Sequence, residues 1–140
     1  MAEKLKFELV SPHALLVVEE VDMVVVPGED GDFGVLLGHS PLISTLRPGV
    51  VDIHNDGTVS KSLFVDGGFA EVVDERCTLL AGSAQEVLDL SQEDVNARME
   101  AARAQVLEAD EITRNDADRE VNIAEAMKYA FETRSSGSKS

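Results

Sequence analysis

The chain has 140 residues, with 12 lysines and arginines against 27 aspartates and glutamates, so its formal net charge is −15. A chain of this length forms one domain, or one domain with an appendage, around a single hydrophobic core. The excess of acid argues against nucleic acid as a partner and against direct binding to anionic lipid, because both surfaces select basic residues.

The first half of the chain carries the patterns of short strands. Residues 5–9 alternate apolar and charged side chains, as a half-buried strand requires. Residues 21–26 are rich in valine and stop at Pro27-Gly28, a pair typical of turns. We therefore predict a strand that ends at residue 26 and an acidic, glycine-rich loop over residues 28–34.

Two hairpins follow. Strands over residues 50–54 and 58–65 flank Asn55-Asp56-Gly57, whose residue types supply the positive φ of a hairpin turn. A second hairpin turns at residues 73–76. Many short strands with frequent turn signals predict an antiparallel β-sandwich or barrel, which we place at residues 1–88.

The rest of the chain has a helical pattern. Ser91 followed by Asp94 is a capping-box start, and Asn115 with Asp118 marks a second helix start. Apolar residues recur at helical spacing after each start: Val95, Met99, Ala102, Val106 and Ala109, then Ala117, Val121, Ala124 and Phe131. We expect an antiparallel α-helical hairpin over residues 89–134, marginally stable because it is rich in alanine, and a disordered tail over 135–140.

No set of residues indicates catalysis or a bound metal. His13, His39 and His54 are dispersed, and Cys77, the one cysteine, is expected to be a buried hydrophobe in a strand. The acids of residues 29–32 lack the spacing of a calcium loop. We expect no enzyme activity, no metal and no cofactor.

No segment signals export or membrane insertion. The longest apolar run, residues 14–18, is far shorter than the roughly 20 residues that span a bilayer, and the N-terminus lacks a secretory signal. We expect a soluble, cytoplasmic protein that reaches a membrane only through another protein.

Four segments carry a resemblance in order and spacing. They are residues 7–12 (FELVSP), 26–42 (VPGEDGDFGVLLGHSPL), 46–51 (LRPGVV) and 64–72 (FVDGGFAEV). The chain resembles the epsilon subunits of bacterial F-type ATP synthases, a family with a β-sandwich followed by a helical hairpin. Leu37 departs from the family, which usually has proline before Gly38-His39.

The resemblance implies a non-catalytic rotor subunit at the foot of the central stalk. Such a subunit packs on the gamma subunit, touches the c-ring, and helps couple proton translocation to ATP synthesis at the cytoplasmic face of the bacterial inner membrane. The family's ring contacts carry over to Glu29, Asp32, Gly38 and His39. The alternative is that the glycines of this segment only shape a turn.

In the family the helical hairpin also inhibits ATP hydrolysis by extending toward the catalytic alpha/beta hexamer. The basic residues that would make these contacts here are Arg114, Arg119, Lys128 and Arg134. Interspersed charges also mark an ordinary solvated helix face, so both interpretations stay open.

The second functional hypothesis is an ATP-sensing regulatory module. Some family members bind ATP through a motif that enters the first helix, and the nearest residues here are Asp94, Arg98 and Arg103. Arg98 falls one residue late, which turns its side chain by about 100° around the helix. A third hypothesis is a protein-interaction sandwich unrelated to ATP synthase.

Overall fold

The structure is a computed structural model that describes residues 3–137, the side chains of residues 134–137 excepted. These residues divide into two compact units between Glu86 and Val87. The division lies two residues before the boundary expected from the sequence.

Ten strands form the first unit. They are β1 (Leu5–Val10), β2 (Leu15–Val21), β3 (Met23–Gly28), β4 (Gly31–Leu36), β5 (Leu42–Leu46), β6 (Gly49–Asn55), β7 (Thr58–Val65), β8 (Gly68–Val73), β9 (Arg76–Leu80) and β10 (Ala84–Glu86). They follow the order β10-β7-β6-β3-β5-β8-β9-β1-β2, with β4 on the free side of β3. The predicted β-sandwich is confirmed.

The sandwich consists of two five-stranded halves, β4-β3-β6-β7-β10 and β5-β8-β9-β1-β2. Within residues 3–137, strand pairing between the halves is limited to Gly28 of β3 with Leu46 of β5. One pair departs from the expected antiparallel pattern, since β1 runs parallel to β9. A parallel pair needs a long crossover between its strands, and the seven strands between β1 and β9 provide it.

Both predicted hairpin turns are present. Asp56 and Gly57 have φ of 54° and 80° between β6 and β7, and Asp74 has φ of 50° between β8 and β9. Positive φ at these positions matches the right-handed twist of the flanking strands.

The sandwich core takes one face of most strands. Its members are large aliphatic and aromatic side chains with almost no solvent exposure: Leu5, Phe7, Leu9, Val21, Val24, Val26, Val35, Leu46, Val51, Ile53, Leu63, Val65, Val72 and Leu79, with Ala70, Cys77 and Ala81 between them. Phe33 and Leu42 pack against this core.

The predicted strand end at Pro27-Gly28 is wrong. Both residues lie inside β3 and pair with Asp32 and Gly31 of β4. Proline fits because residue 27 faces away from β4 with its polar backbone groups. On that side the Pro27 carbonyl accepts from the backbone N–H of Arg47, and β6 pairs only with residues 23–25 of β3. The missing proline N–H therefore removes no ladder hydrogen bond.

The predicted acidic loop over residues 28–34 is also wrong. Gly31–Leu36 forms β4, and only Glu29 and Asp30 remain as the turn. Glycine and acid content resembled a loop in the sequence, whereas backbone pairing to β3 over six positions makes a tight hairpin.

The second unit contains a short 3₁₀ helix (Val87–Asp89), α1 (Gln92–Glu108) and α2 (Arg114–Gly137). Ser91 caps α1 by accepting from the Asp94 N–H while Asp94 accepts from the Ser91 N–H, as predicted. Because α2 continues through Gly137, the prediction of a disordered tail from residue 135 is wrong for residues 135–137. Residues 138–140 lie outside the described part.

The two helices pack against each other, and the 3₁₀ helix also contacts α2. Small side chains dominate the buried positions of both helices: Val95 and Ala102 on α1, then Ala117, Ile123, Ala124, Met127 and Ala130 on α2. Val121 and Phe131, predicted for the apolar face, are half-buried. In the range that the structure describes, neither helix is apolar and long enough for a membrane span.

The turn between the helices is organised by one carboxylate. Asp110 accepts hydrogen bonds from the backbone N–H groups of Ile112 and Thr113, each at 2.9 Å, and from the Thr113 hydroxyl. These bonds, the Thr113 ones first, lower the pKa of Asp110 because they favour the charged carboxylate.

Candidate partner-binding surfaces

The first candidate surface is the tip of the β3–β4 hairpin, which we call the acidic turn and define as Glu29 and Asp30. Both residues are exposed. The backbone N–H of Glu29 donates to the Thr45 carbonyl at 2.9 Å, which ties the turn to β5. Asp30 was missed by the sequence reasoning, although its position directly before Gly31 is typical of a turn acid.

Close backbone approach explains the glycine that precedes this turn. A Cβ on Gly28 would lie 2.6 Å from the Gly31 carbonyl oxygen and 2.8 Å from the Phe33 ring. No real side chain tolerates such a contact with backbone, so the tight crossing of β3 and β4 requires glycine here.

Asp32 forms an ion pair with Arg47. Its Oδ1 lies 2.6 Å from Nη2 of Arg47, and Nη1 of the same arginine donates to the Gly28 carbonyl at 2.5 Å. Arg47 was missed as a site residue. Its sequence signal was its place directly before Pro48-Gly49, a turn that brings it back onto β3.

Gly38 and His39 lie at the other end of β4 from the acidic turn. Gly38 is exposed with φ of 92°, a conformation that favours glycine, and the His39 N–H closes the turn onto the Leu36 carbonyl at 3.1 Å. His39 Nδ1 lies 2.7 Å from the Ser40 carbonyl oxygen. The six residues of β4 separate the two turns by about 20 Å, at about 3.4 Å per residue.

The second candidate surface is on the outside of the β5-β8-β9-β1-β2 half. We call it the apolar row and define it as Phe69, Leu80, Val10 and Leu15, which are cross-strand partners in that order. Phe69 is 53% exposed and Leu80 is 48% exposed. Leu15 is 57% exposed and Val10 is half-buried. A continuous, largely exposed apolar row across four adjacent strands is typical of an interface rather than of free surface.

The sequence left open which of three apolar residues face the core. Phe33 and Leu42 pack against the core, whereas Phe69 faces outward. Period-two alternation could have found this, because Phe69 alternates with the buried Ala70 and Val72.

The third candidate surface is the set of helical cations. Arg114, Arg119 and Lys128 are exposed, and Arg119 pairs with Asp116 at 3.2 Å. Arg114 and Lys128 are separated by about 40° around α2 and Arg119 by about 140° from Arg114, so α2 does not gather all three on one face. The side chain of Arg134 lies outside the described residues.

The three residues of the ATP hypothesis are not brought together. Asp94 is used in the cap of α1, and Arg98 pairs with Glu120 of α2 at 3.7 Å. Arg103 lines a groove between the helices of about 190 Å³, together with Gln92, Val95, Asn96, Met99, Glu100 and Lys128. Ligand pockets are larger, about 300–1,000 Å³, so the groove as it stands is small for a nucleotide.

The last candidates for chemistry are the thiol of Cys77 and clusters of metal-ligating side chains. Cys77 is buried, as predicted, and burial raises its pKa to about 12, which keeps the thiol protonated and unreactive. No three carboxylate, histidine or cysteine side chains within residues 3–137 come together in a way that could hold a metal ion.

Comparison with known proteins gives one consistent family. Residues 4–87 match the family described as ATP synthase, Delta/Epsilon chain, beta-sandwich domain. The chain is 52% identical over 131 residues to the ATP synthase epsilon chain of Rhodospirillum rubrum, covering 93% of this chain and 98% of that protein. It is 53% identical, over the same shares, to the epsilon chain of Paramagnetospirillum magneticum.

Two solved structures share the fold. A chain of the Euglena gracilis mitochondrial ATP synthase (OSCP/F1/c-ring) superposes with a TM-score of 0.76 at 24% identity, covering 93% of this chain and 82% of that one. A chain of the Tetrahymena thermophila mitochondrial ATP synthase (central stalk/c-ring) gives 0.65 at 13% identity, covering 92% and 97%.

Proposed function

The chain belongs to the family of ATP synthase epsilon chains, and we propose that it is the non-catalytic rotor subunit that links the gamma subunit to the c-ring. In this role it helps couple proton translocation to ATP synthesis, at the cytoplasmic face of the bacterial inner membrane. The observation that carries the proposal is a β-sandwich whose outer face holds the apolar row. The interpretation as a sandwich unrelated to ATP synthase is wrong.

The gamma subunit docks on the apolar row. Burying Phe69, Leu80 and their neighbours against a partner removes apolar area from water, which stabilises the complex by roughly 25 cal/mol for each Å² buried. The same face carries Ile43 on β5 and Val18 on β2, both exposed, which widen the row into a patch. A broad apolar patch suits a lasting contact between subunits that rotate together.

A pair of variants with equal exposure tests this docking. Leu80 and Val59 are both 48% exposed, but Val59 lies on β7 in the other half of the sandwich. We expect Leu80→Ser to weaken binding to purified gamma by about tenfold or more, a loss of about 1.4 kcal/mol, whereas Val59→Ser leaves it unchanged. Equal behaviour of the two variants would refute docking on this row.

The c-ring contacts β4. Within the described residues β4 pairs with β3 alone, so its second edge is open from the acidic turn to Gly38-His39. A ring loop that follows this edge would meet Glu29 and Asp30 at one end and His39 at the other. The acidic end suits basic side chains on the ring, since complementary charge sets orientation and association rate.

The helical hairpin regulates ATP hydrolysis. Arg114 and Lys128 are exposed and, in the described part of the chain, have no acidic partner within ion-pair distance, so they are available to acidic segments of the catalytic alpha/beta hexamer. We expect the double variant Arg114→Gln with Lys128→Gln to raise ATP hydrolysis by the reconstituted enzyme. The control is Arg119→Gln, because Arg119 already forms an ion pair with Asp116. An unchanged rate would favour a passive hairpin.

ATP sensing is the second candidate function, and the groove beside Arg103 and Lys128 favours it. Two cations on facing helices suit a polyphosphate, although the helices would have to separate to admit one. Calorimetric titration tests this: micromolar binding that is lost in Arg103→Ala would support it, with Arg98→Ala as the control already paired to Glu120. No heat at millimolar ATP would eliminate it.

A further inference from the structure

We propose that Arg47 is a positioning residue for the acidic turn, and that Asp32 acts through Arg47 instead of touching the ring itself. Arg47 fixes Glu29 and Asp30 as a preformed pair of acids for a basic loop of the partner. This inference rests on the proposed contact between β4 and the c-ring.

Arg47 bonds to residues on both sides of the acidic turn, and we call this arrangement the clamp. Its side chain donates to the carbonyl of Gly28, the residue before Glu29, and to the carboxylate of Asp32, two residues after Asp30. Its own backbone N–H donates to the Pro27 carbonyl at 2.9 Å. A planar guanidinium makes such divergent bonds in a fixed geometry, which a lysine ammonium does not.

The base of this clamp is also fixed. Arg47 stands one residue before Pro48-Gly49, and a Cβ on Gly49 would lie 2.9 Å from Cβ of Pro27. The β5–β6 turn is thus pressed against β3 at the foot of the hairpin. The backbone of Arg47 therefore cannot move away from β3 unless β5 or β6 moves with it.

The clamp makes the three acids of the hairpin unequally available to a partner. Asp32 is neutralised by Arg47 at 2.6 Å. The side chains of Glu29 and Asp30 have no hydrogen bond or ion pair to any residue within 3–137. A partner approaching the tip therefore meets two free carboxylates, and the sequence-based choice of Asp32 as a contact changes to Asp30.

Stability alone does not account for the arrangement. Arg47 and Asp32 side chains are 43% and 58% exposed, and exposed ion pairs contribute little to folding because solvent screens them. Holding a turn in its bound conformation before the partner arrives, however, reduces the ordering cost of association. That benefit appears in binding rather than in unfolding.

The first test measures position in the full-length chain by backbone amide NMR. We expect Arg47→Gln to shift the Glu29, Asp30 and Gly31 amides while the midpoint of thermal unfolding stays close to that of the parent chain. The matched control is Lys61→Gln, which breaks the Lys61–Glu19 pair at the other end of the sandwich. Unmoved turn amides in Arg47→Gln would overturn the positioning role, whatever the ring does.

The second test measures affinity for a gamma–c-ring subcomplex. We expect Arg47→Gln to weaken binding by about three- to tenfold, with Arg47→Lys recovering only part, and the combination with Asp32→Asn to be no worse than Arg47→Gln alone. An additive loss from Asp32→Asn would show a direct Asp32 contact and overturn the inference.

A third variant separates this inference from the function on which it rests. If Glu29→Gln with Asp30→Asn weakens ring binding while Arg47→Gln binds like the parent chain, the clamp fails and the ring contact stands. If the two acid substitutions leave binding unchanged, the ring contact at the acidic turn fails, and the NMR result alone decides the positioning role.

Discussion

The two units of this chain bury different kinds of side chain. The sandwich encloses Phe7, Leu9, Ile53 and Leu79 with almost no exposure, whereas four of the seven buried positions on α1 and α2 are alanine. Apolar burial stabilises in proportion to area, so the sandwich gains far more per residue. A unit with a large apolar core and a unit with a small one are expected to open with different free energies, the hairpin more easily than the sandwich.

The largest expected effect falls on the sandwich. Phe7→Ala should lower its free energy of unfolding by about 3–5 kcal/mol, because a large cavity opens in a core that cannot collapse around it. Labelling of the buried Cys77 reports this unit, since the thiol reacts only after unfolding. Phe69→Ala, on the exposed face, is the control and should cost far less.

Overpacking should affect only the hairpin. Ala102 is buried on α1 and its neighbour Ala101 is exposed. We expect Ala102→Leu to destabilise the hairpin by about 1–3 kcal/mol, and Ala101→Leu to be nearly neutral. Tyr129, the one tyrosine, lies on α2 and reports this unit by fluorescence. A parallel loss of Cys77 protection would contradict separate cores.

The cap of α1 should contribute less. Ser91→Ala removes the acceptor for the Asp94 N–H and should cost about 1 kcal/mol of hairpin stability, while Ser91→Asp retains a capping oxygen. Circular dichroism at 222 nm, followed through thermal unfolding, measures the difference. Equal midpoints for the two variants would mean that the capping box adds nothing.

The smallest effect is a pH dependence at the helix–helix turn. The pKa of Asp110 is lowered below its usual 3.8 by bonds from Thr113 and Ile112. The stability that the charged Asp110 adds to the hairpin is therefore fully present above the ordinary carboxyl pKa. This stability is lost as the pH falls through the lowered pKa. Asp110→Asn should remove that part of the acid transition; an unchanged acid transition in the variant would contradict it.

Sequence patterns predicted elements best where side chains alone decide them. The alternation in β1, the Asn55-Asp56-Gly57 turn and the Ser91 cap are local signals, and each was found. The β3–β4 hairpin was missed because pairing between strands overrides the turn preference of Pro27-Gly28, and such pairing is not written in either residue. The parallel pair of β1 with β9 joins distant segments and had no local signal.

The candidate surfaces were predictable to a similar extent. The Glu29 region came from a family resemblance, but Arg47 and the pairing of Asp32 required coordinates, because 15 residues separate the two partners. The apolar row has a period-two signal in β8, yet its continuity depends on the order β8-β9-β1-β2. The strand order, rather than any one strand, creates that surface.

Deleting residues 87–140 tests the central claim most directly. The remaining sandwich should unfold cooperatively, keep Cys77 protected and bind gamma with the stoichiometry and affinity of the full chain, because its core and its apolar row lie within residues 5–81. Loss of cooperative unfolding, or of gamma binding in a folded fragment, would contradict an independent block that carries the partner contact.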